Sequence, residues 1–229
     1  MRALLVVLLL LLGLAVLADR VGVGMAEDRV AAAIAERGAL AGEPDVDIRG
    51  FPFLTQAIGG RYEDVRIALT AADLGQPEGT RADVALRGVA VPLSDVVSGS
   101  VEQVPVERID GTATLSYELL AAQLGPGTTL AREGDGLRVE RTVELAGVTL
   151  PLTAVGTVSL EGNDLVLDVD EAAGAGVEIP AFLVDRAGDL LDLRYPIPEL
   201  PFGLQVTAVT PADDGVAVAV EATDTVLRG

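Results

Sequence analysis

The strongest pattern in the chain is an apolar run close to residue 1. The segment Leu4–Leu17 is almost free of polar residues, with Arg2 before it and Asp19 and Arg20 after it. A membrane-spanning helix needs roughly 20 apolar residues, whereas the core of a secretory signal peptide needs about 7–15. The run therefore predicts either a signal peptide or a short N-terminal membrane anchor within residues 1–25. Both alternatives place the rest of the chain outside the cytoplasm.

Apolar residues at helical spacing predict one longer helix and several short ones after this run. The segment Ala26–Leu40 is typical of an amphipathic helix, and Gly38 and Gly42 are stop signals near its end. Ser116 is suited to cap a helix over Tyr117–Leu124, because a serine hydroxyl accepts hydrogen bonds from the free N–H groups of a first helical turn. Three further helical segments are predicted, at Thr55–Gly60, Pro92–Val97 and Ile179–Leu193.

Period-two alternation dominates the remainder of the chain. The clearest case is residues 137–145, where Leu137, Val139, Val143 and Leu145 alternate with charged or hydroxyl side chains. Strands are predicted at 45–49, 63–70, 81–88, 137–145, 150–160, 165–169, 202–206 and 216–220. Strict alternation with turn residues between the runs indicates antiparallel strands that each bury one face. The predicted class is α+β, in a single domain over residues 26–229.

The predicted strands supply more apolar surface than the predicted helices can cover. Only Ala26–Leu40 is long enough to lie across a sheet of roughly eight strands. We therefore expect a curved antiparallel sheet wrapped around the long N-terminal helix. Such a sheet either keeps an apolar lining that fits a fatty-acyl chain or closes completely on a packed core. The pattern leaves both alternatives open.

Composition excludes several classes of function. The net charge is −19, and a strongly acidic chain is a poor partner for nucleic acid, which requires a basic footprint. The chain has no His and no Cys, so it lacks the side chains best suited to proton transfer near neutral pH and to zinc. Two Asp-x-Asp pairs, Asp45 with Asp47 and Asp168 with Asp170, are explained by chance among 35 acidic residues. We predict a non-enzymatic protein with no metal and no cofactor.

The few aromatic side chains next to prolines are candidate lipid contacts. Phe51 and Phe53 flank Pro52, and Phe202 follows Pro201. Because proline disfavours local helix, these rings are expected at loops or strand edges, where they either plug an open barrel end or line the mouth of an acyl-chain cavity. The candidate acyl-chain contacts are Phe51, Phe53, Leu54, Phe182, Phe202 and Leu204. The candidate headgroup contacts are Arg49, Arg61 and Arg66, since the planar guanidinium fork suits phosphate.

Three segments carry a resemblance to a known family. The first is residues 45–67, which contain Gly50-Phe-Pro-Phe-Leu54, and the others are Gly111–Leu120 and Leu200–Leu204. In this order, and together with the N-terminal apolar segment, they resemble the LmeA-type phospholipid-binding family of actinobacterial cell envelopes. The Gly-Phe-Pro-Phe-Leu segment is the most specific of these matches.

The resemblance implies binding of phospholipids, the phosphatidylinositol type included, at the outer face of the cytoplasmic membrane. It also implies a supporting role in the assembly of mannose-bearing envelope glycolipids, and a fold similar to tubular lipid-binding proteins. Two other functional classes stay open. One is a non-catalytic envelope scaffold with a closed core that recruits biosynthetic enzymes. The other is an envelope hydrolase or transferase with converging carboxylates.

Overall fold

The computed structural model describes residues 2–98, 101–145, 148–162, 164–174, 193–196, 200 and 203–228. Of the predicted lipid contacts, Phe182 and Phe202 lie outside these ranges. The predicted helix Ile179–Leu193 also lies outside them, apart from Leu193, which begins a strand. The described residues combine one long helix near the N-terminus with antiparallel sheets, so the predicted α+β class is confirmed.

The helices and strands follow one another in this order. They are α1 (Arg2–Gly38), β1 (Asp45–Arg49), α2 (Phe53–Gly59), β2 (Arg61–Leu69), α3 (Ala71–Leu74), β3 (Arg81–Ala90), α4 (Leu93–Ser98), β4 (Gln103–Ser116), α5 (Tyr117–Leu124), β5 (Thr128–Glu133), β6 (Gly136–Leu145), β7 (Val148–Glu161), β8 (Asp164–Gly174), β9 (Leu193–Pro196), β10 (Gln205–Pro211) and β11 (Gly215–Arg228). The strands form a six-stranded sheet of order β1-β2-β3-β4-β11-β10 and a five-stranded sheet of order β5-β6-β7-β8-β9.

The chain divides into two compact units. Unit 1 comprises Met1–Gly75, Asp83–Gly111 and Ala222–Gly229, and unit 2 comprises Gln76–Ala82 and Thr112–Glu221. Unit 1 therefore holds α1 to α4 with β1, β2 and most of β3, while unit 2 holds α5 and the five-stranded sheet.

Helix α1 joins the apolar N-terminal run to the predicted amphipathic helix without a break. It contains no proline, and its interior glycines weaken a helix without ending it. The side chains between Leu4 and Leu17 are exposed, whereas Asp19, Val23 and Ala31 are buried in unit 1. The helix thus has an apolar first half and a second half that packs against protein.

Unit 1 has two ends, defined by its short helices. Strand β2 runs from Arg61, after α2, to Leu69, before α3, and these eight steps cover roughly 26 Å at 3.3 Å per residue. Helix α1 covers a similar length, about 28 Å, between Asp19 and Gly38 at 1.5 Å per residue. At the α3 end, the backbone N–H of Ala41 donates to the carbonyl oxygen of Asp73 at 2.8 Å. At the α2 end, the N–H of Val91 before α4 donates to the carbonyl oxygen of Gly60 at 2.9 Å.

The core of unit 2 is built from aliphatic residues of its strands. Leu137 and Val139 of β6 pack with Val158 of β7 and Val216 of β11, and their alternate positions bury one face of each strand. The partly buried side chains around this cluster are Tyr117, Leu120, Leu130 and Val209.

Helix α5 begins at the predicted cap. The hydroxyl of Ser116 accepts the backbone N–H of Leu119 at 3.2 Å, and it also accepts the hydroxyl of Thr80 at 3.0 Å. Both hydroxyls are buried. The predicted capping role of Ser116 is therefore confirmed.

Candidate functional site

The first turn of α2 is capped by a residue from α1. Pro52 occupies the N-cap position of α2 and provides no side-chain acceptor. The acceptor is instead the carboxylate of Asp19, which receives the N–H of Leu54 at 2.8 Å and is only 2% exposed. The hydrogen bond from Leu54 lowers the pKa of the Asp19 carboxyl, while burial acts in the opposite direction. The charged carboxylate thus satisfies a helix N-terminus that has no local cap.

Arg20 links this cap to the loop before α2. Its guanidinium donates to the Asp19 carboxylate at 3.2 Å, and it also lies 5.2 Å from the ring centroid of Phe51. That distance places the cation over the aromatic face, where the ring quadrupole attracts it. The predicted lipid contact Phe51 is 63% exposed despite this partner.

The residues of α2 divide between a buried and an exposed face. Phe53 and Ala57, four residues apart, are buried, and the ring centroid of Phe53 lies 6.2 Å from that of Tyr62 on β2. Burial raises the pKa of the Tyr62 phenol. Leu54 and Ile58 form the second pair at this spacing and are exposed, Leu54 at 39% beside α1 and Ile58 at 76%. Of the predicted acyl-chain contacts, Phe53 belongs to the core and Leu54 to the surface.

Two further contacts hold α1 beside α2 and β1. A Cβ atom at Gly22 would lie 3.5 Å from the side chain of Leu54 and 3.6 Å from the ring of Phe53, so α2 faces α1 at this glycine. Five residues further along α1, the carboxylate of Glu27 accepts the N–H of Ile48 at 2.9 Å. Among the described strands β1 lies at the edge of its sheet, and this bond gives one of its backbone donors an acceptor from α1.

Helix α4 extends the exposed apolar surface of α2. Leu93 and Val96 are three residues apart, so they share one face of α4, and both are exposed. The Val91–Gly60 hydrogen bond joins the start of α4 to the end of α2. We define the α2–α4 surface as the exposed apolar side chains at this end of unit 1, namely Phe51, Leu54, Ile58, Leu93 and Val96.

The predicted headgroup arginines all have carboxylate partners. Arg49 donates to Asp47 at 2.6 Å on β1, and Arg66 donates to Asp64 at 3.3 Å on β2. In the register of the two strands Arg49 faces Asp64 and Asp47 faces Arg66, which makes a patch of alternating charge. The hydrogen bond to Asp47 raises the pKa of the Arg49 guanidinium.

Arg61 is arranged differently from the other two arginines. It lies at the α2 end of β2 and donates to Glu107 on β4. Between them on β3 is Gly88, where any Cβ atom would collide with the Glu107 side chain and where φ is +63°. The missing side chain at Gly88 therefore lets Glu107 reach Arg61 across the intervening strand.

The remaining predicted contact and an open pocket both lie in unit 2. Leu204 is half-buried and precedes β10. The pocket has a volume of about 470 Å³, and the ion pair between Arg132 and Asp213, at 2.9 Å, lies in its lining. Its other lining residues are Tyr117, Leu130, Ala131 and Gly134. Within the part of the chain that the structure describes, no group of three or more His, Cys, Asp or Glu side chains is arranged to hold a metal ion.

The sequence predicted three residues of this site and missed the residues that position them. Phe51, Phe53 and Leu54 come together around α2, as expected from their proximity in the chain. Asp19, Arg20 and Ile58 were not predicted as site residues. The sequence signal for Asp19 was its position, a carboxylate just after a long apolar run.

Helix α1 is long and apolar enough to cross a membrane, a property that N-terminal signal sequences share.

Comparison with known proteins identifies the family. No curated protein and no solved structure gives a significant match to the chain. The profile of the LmeA-like phospholipid-binding family, however, matches residues 17–221, which include the Asp19 cap, the whole of α2 and the arginines of β1 and β2. The chain therefore belongs to the LmeA-like phospholipid-binding family.

Proposed function

We propose that this protein binds phospholipid at the outer face of the cytoplasmic membrane and carries or presents it for the assembly of mannan-type envelope glycolipids. The observation that carries the proposal is the family match over residues 17–221. The proposed ligand includes lipids of the phosphatidylinositol type. The proposed role is non-catalytic, and the proposed architecture is a single lipid-binding domain with its sheet curved around the second half of α1.

The packing of α1 supports a retained anchor over a cleaved signal peptide. Asp19 and Val23 are buried in unit 1, and Gly22 faces α2. Cleavage near residue 25 would remove all three, and with them the cap of α2. Cleavage before Asp19 would preserve the cap but remove the apolar segment that holds the chain at the membrane. We therefore propose that α1 stays intact.

Apolar contacts are the proposed source of affinity. Burial of an acyl chain contributes about 0.8 kcal/mol per CH₂ group, so a bound lipid needs no basic patch, in keeping with the net charge of −19. Among the proposed acyl-chain contacts that the structure describes, Phe51 and Leu54 are exposed. The other proposed members are Phe53, Phe182, Phe202 and Leu204.

Arg61 is the strongest of the proposed headgroup contacts. It lies next to α2 and is more exposed than Arg49 or Arg66. A phosphate could replace Glu107 as its partner without breaking a contact within the same strand. At Arg49 and Arg66 the phosphate would have to displace a carboxylate two residues away on the same strand, within the patch of alternating charge.

Uptake of a fluorescent phosphatidylinositol from self-quenched vesicles tests the proposal. The full-length protein is expected to raise the fluorescence as it removes lipid from the quenched bilayer. Arg61→Gln should weaken the uptake of anionic phospholipid relative to phosphatidylcholine. Arg81→Gln is the matched control, since Arg81 is also an exposed arginine paired with a carboxylate. No uptake of any phospholipid would favour the scaffold class instead.

A further inference from the structure

We infer that the α2–α4 surface docks on the phospholipid bilayer beside the point at which α1 leaves it. This inference rests on the proposed function, because only a chain held at the membrane brings this surface to the bilayer. It adds a membrane-contact site, formed by two short helices, to the anchor and the lipid-binding domain.

The first argument is the position of the surface relative to the apolar segment. Leu17 is the last residue of that segment, and Asp19 follows two residues later, about 3 Å further along the helix axis. The Asp19 carboxylate holds the N–H of Leu54 at 2.8 Å. The first turn of α2 is therefore fixed within about one helical turn of the end of the apolar segment.

The second argument is the chemistry of the exposed side chains. Ile58 and Phe51 are 76% and 63% exposed, although nearby Phe53 and Ala57 are buried. Single exposed apolar residues are common, but a cluster of five on two adjoining short helices and the loop before α2 indicates a contact surface. Apolar side chains of this kind enter the boundary between headgroups and acyl chains by about 5–10 Å.

The third argument concerns which occupant covers the surface. The side chains of Leu4–Leu17 are also exposed, and an apolar helix of this kind requires hydrocarbon around it. If hydrocarbon surrounds the helix as far as Leu17, the bilayer surface lies beside the α2–α4 surface. Arg20 is placed where a cation meets headgroups, with its guanidinium over the Phe51 ring. A bilayer therefore covers both the apolar segment Leu4–Leu17 and the α2–α4 surface, whereas a second copy of the chain would cover only one of them.

A spin-label experiment on the full-length protein in phosphatidylcholine vesicles tests the inference. The chain has no Cys, so Ile58→Cys and Leu93→Cys give single attachment sites on exposed side chains. Ala72→Cys is the matched control, since Ala72 is exposed on α3 at the opposite end of β2. Collisions of each label with dioxygen, which concentrates in hydrocarbon, are compared with collisions with a water-soluble nickel chelate.

Docking predicts that the ratio of dioxygen collisions to chelate collisions is high at the α2 end of unit 1 and low at the α3 end. The labels on Ile58→Cys and Leu93→Cys should collide more with dioxygen than with the chelate, and the label on Ala72→Cys should do the reverse. Equal chelate access at Ile58→Cys and Ala72→Cys would overturn the inference. Low access to both reagents at Ile58→Cys would also overturn it, since protein from a second copy would then cover the surface.

Lipid extraction from the same samples separates this inference from the proposed function. Protein that carries phospholipid but shows a water-exposed label on Ile58→Cys contradicts the docking alone. Protein that shows the docked pattern but neither carries nor exchanges phospholipid contradicts the proposed function alone.

Discussion

The carboxylate of Asp19 in α1 accepts the backbone N–H of Leu54 in α2 at 2.8 Å, across 35 positions of the chain. This bond joins the end of the apolar segment to the segment that carries the family resemblance. Because Pro52 offers no cap, α2 depends on α1 for the stability of its first turn. The part of α1 that follows the apolar segment is therefore part of the folded unit.

Substitution of Asp19 should loosen α2 selectively. In Asp19→Ala the Leu54 amide loses its acceptor, so we expect its hydrogen exchange to accelerate on the order of tenfold. Asp19→Asn should have a smaller effect, because its amide oxygen still accepts the bond. Asp28→Ala is the control, since Asp28 is exposed on the same helix. Unchanged exchange at Leu54 in Asp19→Ala would show that the cap contributes nothing to α2.

Substitution of Ser116 should destabilise unit 2. Ser116→Ala removes the α5 cap and leaves the buried Thr80 hydroxyl without its acceptor. We expect the free energy of unfolding to fall by about 1–2 kcal/mol, measured by urea denaturation. Ser94→Ala is a matched control on an exposed serine of α4, with an expected change below about 0.5 kcal/mol. Equal effects of the two substitutions would contradict a special role for the buried hydroxyl pair.

Thr70 and Asp73 form a capping box at the start of α3. This box should stabilise the protein near neutral pH and lose that effect in acid. The hydroxyl of Thr70 donates to the Asp73 carboxylate at 2.6 Å, and this bond, with a second from the Thr70 N–H, lowers the pKa of Asp73. A carboxyl with a lowered pKa in the folded state stabilises the protein above its unfolded pKa of about 3.9. That stabilisation is lost as the pH falls through the folded-state pKa.

Comparison of the parent protein with Asp73→Asn across the acid range checks this dependence. The difference in the free energy of unfolding should be largest near roughly pH 6 and should narrow towards pH 3 as the carboxyl becomes protonated. A difference that stays constant over this range would mean that the charge of Asp73 plays no part.

Much of the fold could be predicted from local alternation, and the exceptions have physical causes. The predicted strands in β1, β2, β3, β6, β7, β8 and β11 are confirmed. Strand β4 was missed because its buried residues Val106 and Ile109 are three apart, which breaks the period of two, and because Pro105 lies within it. Strand β5 was missed because its apolar side chains do not alternate with polar ones.

The site was less predictable because its contacts are distant in sequence. Periodicity indicates which face of a helix is buried, but it carries no information about a carboxylate that caps another helix 35 residues later. The chain pattern likewise suggested a break between an N-terminal segment and a helix from Ala26. The structure has one continuous α1, because nothing between Leu17 and Ala26 ends a helix.

The most direct test of the central claim is native mass spectrometry of the full-length protein, released from detergent after purification from membranes. Phospholipid binding predicts a mass in excess of the bare chain that matches a phospholipid and exchanges when the sample is incubated with phosphatidylinositol vesicles. A mass equal to that of the bare chain, unchanged after incubation with such vesicles, would contradict the account.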